Sequence, residues 1–346
     1  MHKLALLALL ASPAALADPP RFSKETIKKM QEDAVRTICN DGSPAMKAAS
    51  GKHHVVLAGC QNVPRGLVVE GDFLYWANER GGEIMRMPRR GKPPERVVAD
   101  QAWPAELALS KSHLYWVNGG RPDNKHLDGA VMRMPKAGGA PEVIANEQPR
   151  ASSILIAGET LFWTTGGVMG RPGTVMRARL DGSEPELIAS GGNYGRLTRD
   201  ASQVWFTDMK GPVGKVAIAG GKAEIVATDL WTPLPIVVRG GAAFVGVLNG
   251  PAIHRIAPDG APAALVETGR RNGGVQAMAA DERHLYFTVP ALTFPGEGYL
   301  YRVPLAGGQR EELLRGSIGA SAMLVEGGVM YLSDAVTGTV VRVELR

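Results

Sequence analysis

Residues 154–189 read ILIAGETLFWTTGGVMGRPGTVMRARLDGSEPELIA. The segment parses into four short apolar strands separated by turns. Ile154-Leu155-Ile156 comes first, and Leu161-Phe162-Trp163-Thr164 follows the Gly158-Glu159 turn. Thr174-Val175-Met176-Arg177-Ala178 comes after a glycine-rich loop, and Glu186-Leu187-Ile188-Ala189 after Leu180-Asp181-Gly182-Ser183. Asp-Gly suits the positive φ that a tight hairpin demands. Four antiparallel strands in about 40 residues make one blade of a β-propeller.

The same phrase recurs along the chain. Its aromatic second strand appears at Leu74-Tyr75-Trp76, Leu114-Tyr115-Trp116, Leu161-Phe162-Trp163, Val204-Trp205-Phe206, Ala243-Phe244-Val245, Leu285-Tyr286-Phe287 and Met330-Tyr331-Leu332. The spacing of roughly 40–47 residues is a propeller period. A third-strand arginine recurs at Arg86, Arg133, Arg177, Arg255, Arg302 and Arg342; the fourth repeat lacks it, reading Lys215-Val216-Ala217-Ile218. The seventh repeat ends after its third strand, and its fourth is missing. His54-Val55-Val56-Leu57-Ala58, ahead of the first repeat, has the character of a fourth strand. The expectation is an all-β, seven-bladed propeller over residues 53–346, with its last blade completed by that N-terminal strand. Such closure removes the open sheet edges of an incomplete ring.

Residues 1–17 read as a signal peptide: His2-Lys3, the apolar run Leu4 to Leu10, then Ala15-Leu16-Ala17 as a small-x-small cleavage site. The apolar run is too short to span a bilayer. Export to the periplasm or medium is expected, without a membrane span and as a monomer. Residues 18–52 form a separate N-terminal segment, in which Ile27, Met30, Ala34 and Ile38 fall on one helical stripe and Ser23 can cap it. A short helix outside the ring is expected there. The chain has two cysteines, Cys39 and Cys60. In an exported protein they are expected to pair, closing a loop of about 20 residues at a gain of roughly 3 kcal/mol. The net charge is +5. The basic residues are scattered over turns with no aromatic interleaving, so no nucleic-acid partner is expected.

Several of these strands carry a further likeness. Leu161-Phe162-Trp163-Thr164-Thr165, Val204-Trp205-Phe206-Thr207-Asp208 and Met330-Tyr331-Leu332-Ser333-Asp334 resemble the YWTD repeats of low-density-lipoprotein-receptor-type propellers. The resemblance implies that these residues build blade cores and that the aspartate, here Asp208 and Asp334, braces neighbouring backbone. Asn78 and Asn118 replace it in the first two blades, and blades 5 and 6 depart from the pattern. YWTD propellers have six blades, against the seven counted here. The chain is loosely similar, too, to seven-bladed streptogramin lyase-like propellers, but no lyase catalytic set can be placed on it.

Enzyme signatures are scarce: there is no G-x-S-x-G elbow, H-E-x-x-H helix or Walker loop. Asp123, His126 and Asp128 lie together in one long loop, a pattern that more often marks a charged loop than a cation site. The stronger lead is geometric. Loops from strand four to the next strand one, and from strand two to strand three, emerge on one face of a propeller. Trp103, Asn118, Arg121, Arg150, Tyr194, Trp231, Arg271 and Phe294 lie in or beside such loops and are the candidate ligand-binding residues. The leading expectation is a non-catalytic propeller that recognises a protein, peptide or glycan through this loop-rich face, with no cofactor. The alternative is a lactonase- or lyase-like enzyme with calcium or magnesium in an axial pocket, held by Asn78, Asn118, Asp208 and Asp334.

Overall fold

The structure is a computed structural model that describes residues 47–48, 54–250, 252–257, 262–268, 274–290, 297–316 and 318–345. The expected leader, the expected N-terminal helix and Cys39, one half of the expected Cys39–Cys60 bridge, lie outside these residues.

Seven antiparallel sheets follow one another around a ring. Blade 1 comprises Pro64–Glu70, Phe73–Asn78, Glu83–Pro88 and Glu95–Val98 from the axis outward. The first strands of the other blades are Pro104–Leu109, Ala151–Ala157, Tyr194–Arg199, Pro233–Arg239, Met278–Ala280 and Ala320–Glu326. These seven innermost strands touch their neighbours in sequence, and Ala320–Glu326 meets Pro64–Glu70 to close the ring. Closure follows the sequence reading: His54–Ala58 pairs antiparallel with Thr339–Glu344 as the outermost strand of blade 7. One pairing was not foreseen. Lys47–Ala48 adds a fifth strand to the outer edge of blade 6, opposite Arg315 and Leu314.

The second strands carry the core. Trp76, Trp116, Trp163 and Trp205 are buried, as are Phe162, Phe206, Phe244, Phe287, Tyr286 and Tyr331. The packing is between blades rather than within them: Tyr75 and Ala77 of blade 1 share a cluster with Leu107, Leu114, Trp116 and Met132 of blade 2. Each buried large side chain contributes on the order of 2–3 kcal/mol, so the aromatic repeat is scaffold.

A second repeat holds adjacent blades together. Gln61, Gln101 and Gln148 sit in the loops that enter blades 1, 2 and 3. Their Oε1 atoms accept the indole Nε1–H of Trp76 at 3.0 Å, Trp116 at 3.0 Å and Trp163 at 2.8 Å. Their backbone N–H groups donate to Gly338, Gly82 and Gly129 of the preceding blade. Each glutamine is therefore a clip between two blades. The glycines are required by close approach. A Cβ on Gly338 or Gly82 would lie 2.7 or 2.8 Å from the glutamine carbonyl, inside van der Waals contact.

On the outer strands the recurrent cation pairs with a glutamate nine residues on. The pairs are Arg86–Glu95, Arg133–Glu142, Arg177–Glu186, Lys215–Glu224 and Arg302–Glu311. Lys215 thus takes the place of the missing arginine of blade 4. These glutamates are half exposed, and water screens such pairs. Glu186→Gln is expected to cost less than about 1 kcal/mol, read as a melting-temperature fall of no more than about 3 °C. A fall of twice that would show that the pair holds the blade edge.

Candidate functional site

The sequence places Trp103 and Arg150 in equivalent positions, each the last residue before the first strand of its blade. Both take the left-handed backbone, at φ +58° and +52°. Val63 and Thr232 do the same at +60° and +52° in blades 1 and 5. The geometry therefore belongs to the repeat, at about 1 kcal/mol of strain per residue. What differs between blades is the side chain delivered to the mouth of the ring.

Over blades 1 to 5 that mouth is a cavity of about 400 Å³. Its wall includes Arg65, Arg80, Trp103, Arg150, Asn193 and Arg196. Two of the four arginines have carboxylate partners. Arg65 Nε lies 2.8 Å from Glu79 Oε2, close but out of hydrogen-bond alignment. Arg196 pairs with Glu106. Arg80 and Arg150 are exposed and have no carboxylate partner among the described residues. The Arg80 guanidinium lies over the Trp103 ring at 6.0 Å, and His126 meets that ring edge-on at 5.6 Å.

Beneath this mouth an ion pair crosses the axis. Glu106 of blade 2 accepts from Ser153 Oγ and, at 3.3 Å, from the Ile154 N–H of blade 3. Arg196 of blade 4 donates to Glu106 and, at 3.0 Å, to the Ser321 carbonyl of blade 7. Arg196 also lines a lower cavity of about 280 Å³ inside the ring. The pair thus separates two chambers of the axial channel.

The candidate residues fall into distinct groups. Trp103, Arg150 and Tyr194 line the upper cavity together. Tyr194 is buried, stacked edge-on against Phe206, with its hydroxyl donating to the Ser190 carbonyl at 3.3 Å. Burial, with the nearby Asp208 charge, pushes its phenol up. Trp231 is 72% exposed, three residues ahead of Leu234 in the cavity wall. Arg121 stands outside the wall, 3.7 Å from Asp128. Arg271 and Phe294 lie outside the described residues.

The four residues of the metal alternative are engaged separately, each in its own blade. Asn78 and Asn118 are buried, and their amides donate to Gln61 and Gln101 at 3.1 Å. The Oδ1 atoms of both have no partner among the described residues. Asp208 accepts the N–H groups of Asn193 and Lys210 at 2.9 and 3.0 Å. Asp334 accepts those of Gly319, Val336 and Thr337. Bracing of backbone by aspartate is what the repeat resemblance implies for these two positions. In the long loop, His126 Nδ1 contacts the Gly120 carbonyl at 2.7 Å and Asp128 faces Arg121. No group of three or more His, Cys, Asp or Glu side chains among the described residues is placed to hold a metal ion.

A larger cavity among the described residues, about 700 Å³, opens on the opposite face across blades 2 to 4. Its arginines are already paired: Arg133 with Glu142, Arg177 with Glu186 and Arg179 with Glu184. It presents no unpaired guanidinium, whereas the smaller upper cavity presents two, so the upper cavity is the better candidate for an anionic group. Sequence reasoning named Trp103, Arg150 and Tyr194 there but missed Arg196 and Glu106, which lie within strands. Arg65 and Arg80, which also line the upper cavity, were not among the candidates named from the sequence.

No protein-family model matches the chain, and neither does any curated protein. Solved structures do resemble it. The U3-55K structure is 12% identical, with a TM-score of 0.65, over 86% of this chain and 100% of that one. An extracellular domain from B. thetaiotaomicron is 9% identical, with a TM-score of 0.64, over 85% of this chain and 39% of that one. The chain therefore spans well under half of that second protein. A chain in the nidogen/laminin complex aligns at 18% identity over 62% of this chain and 89% of that one, with a TM-score of 0.48. Identities this low carry the shared architecture alone: the chain is a seven-bladed β-propeller.

Proposed function

We propose that the chain is an exported binding propeller that recognises a protein, peptide or glycan partner through its loop-rich face. One observation carries this reading: the mouth of the ring is a cavity of about 400 Å³ whose wall presents Arg80 and Arg150 without carboxylate partners among the described residues. Isolated volumes of this order accept ligand groups. Guanidinium groups without counter-charges are poised for a ligand rather than for the scaffold. Trp231, exposed on the same face, is a second anchor of the kind that dominates interfaces. Export rests on the leader-like residues 1–17, and no helix among the described residues is long and apolar enough to cross a membrane. The Cys39–Cys60 bridge and the division into leader, N-terminal segment and propeller belong to the same proposal.

The test is selection of ligands on the whole mature chain from a random peptide library and a glycan panel. Trp231→Ala is expected to weaken retained ligands about tenfold or more. Arg179→Ala, on the opposite rim, is expected to leave them unchanged. Ligands insensitive to Trp231 and lost with Arg179 would move the site to the other face. A chain that retains nothing from either panel would end the binding reading.

A further inference from the structure

We infer that the upper cavity is a carboxylate-recognition site and that its occupant is an acidic segment of a partner protein. This rests on the binding reading above and specifies its ligand.

The first argument is charge. Four guanidiniums, those of Arg65, Arg80, Arg150 and Arg196, reach the wall of one cavity. Glu79 and Glu106 answer two of them. Two exposed positive charges are left at the rim of a half-open concave mouth, where like charges focused on one cleft raise the local attraction for an anion. Guanidinium forks match a carboxylate with two parallel N–H donors.

The second argument is what the cavity lacks. A sugar ring is recognised on an open aromatic face. Here the Arg80 guanidinium lies over one face of Trp103 at 6.0 Å, and His126 packs T-shaped with the same ring. Tyr194 is buried against Phe206. The two aromatic rings of the wall are thus already in contact with neighbours while two of its guanidiniums are not, which favours a charged side chain or chain end over a glycan.

The third argument is adjacency. Trp231 is exposed next to the strand that supplies Leu234 to the wall. An acidic residue in the cavity thereby places a neighbouring apolar residue of the same segment within reach of Trp231. An extended peptide spans about 3.3 Å per residue, so both contacts fit within a short segment.

The experiment is a selection of random dodecapeptides on the immobilised mature chain, repeated on R80Q/R150Q. Wild-type selection is expected to enrich Asp and Glu beside an aliphatic or aromatic residue. Titration of a recovered peptide is expected to show at least about thirtyfold weaker binding to R80Q/R150Q, with a melting temperature matching the wild type. Replacing the peptide's acidic residues by their amides should produce the same loss. A charge-reversed R80E/R150E chain should lose the acidic peptides and enrich Lys and Arg instead, which a merely unfolded variant would not do. Recovered peptides without acidic enrichment, or acidic peptides held equally by R80Q/R150Q, would overturn the carboxylate assignment while leaving the binding reading intact. Retention of a sulfated or uronate glycan with no peptide recovered, lost in R80Q/R150Q, would assign the site to an anionic glycan and overturn the peptide.

Discussion

Asp334→Ala is expected to destabilise the chain by about 4–6 kcal/mol, read as a melting-temperature fall of more than about 10 °C. The carboxylate has no exposed surface. It accepts the N–H groups of Gly319 at 2.8 Å, Val336 at 2.9 Å and Thr337 at 2.9 Å. Burial raises its pKa, and the Gly319, Thr337 and Val336 donors act against that rise. Alanine removes the acceptor and leaves the buried Gly319 and Thr337 N–H groups and the part-buried Val336 N–H without that partner, at about 1–3 kcal/mol each. The loss falls in blade 7, where the chain ends are joined by His54–Ala58. Asp334→Asn retains one oxygen in place and should recover about half of the loss. Asp208 braces two N–H groups rather than three, so Asp208→Ala should cost less. Equal effects at the two positions, or a change under about 1 kcal/mol at Asp334, would mean that the loops hold themselves without the carboxylate.

The contrast between Asp334 and Arg196 shows what a sequence of this kind exposes. Apolar periodicity and the strand-turn rhythm are local, so seven aromatic triplets were enough to count blades. The missing fourth strand of blade 7 and the spare strand at His54–Ala58 are both visible in one dimension, and the pairing followed. The clip glutamines are also regular, each 15 residues ahead of its tryptophan. They escaped notice because a polar residue in a loop carries no apolar pattern to draw attention to its spacing. The strand-edge pairs, nine residues apart, were legible in the same way and were read only on their arginine side.

The site is less legible because curvature assembles it. Glu106 and Arg196 are 90 residues apart. They meet only because the ring places blades 2 and 4 across one axis. Arg80 and Arg150 come from different loop types of different blades, strand two to three in blade 1 and the entry to blade 3. The reading of loop-face residues found the neighbourhood but could not tell a paired arginine from an unpaired one. Arg121 illustrates this: it sits in a long loop on the expected face, 3.7 Å from Asp128 and outside the cavity wall. Pairing depends on where a loop folds back, and no spacing rule in the sequence reports that.

The axial pair itself should behave as a coupled unit. Glu106 and Arg196 are 22% and 20% exposed in their side chains, so water reaches them but does not surround them. Arg196→Met leaves the Glu106 carboxylate with only the neutral donors Ser153 and Ile154, and should cost about 2–3 kcal/mol. Glu106→Gln leaves the guanidinium on the Ser321 carbonyl alone, at a similar cost. The double variant should be less destabilised than the sum, because neither charge is then stranded. The expected coupling from a thermodynamic cycle is about 1–3 kcal/mol. A pair screened like those on the outer strands would couple by less than about 1 kcal/mol, and that value would show the channel to be wet through its length. The cycle also reports on the mouth above. Arg196 forms part of both cavity walls, so Arg196→Met removes one of the four charges that face an incoming anion. Acidic peptides should then bind severalfold more weakly, whereas Glu106→Gln, which frees that charge, should tighten them. Opposite signs from the two halves of one ion pair cannot arise from loosened folding, which would weaken binding in both.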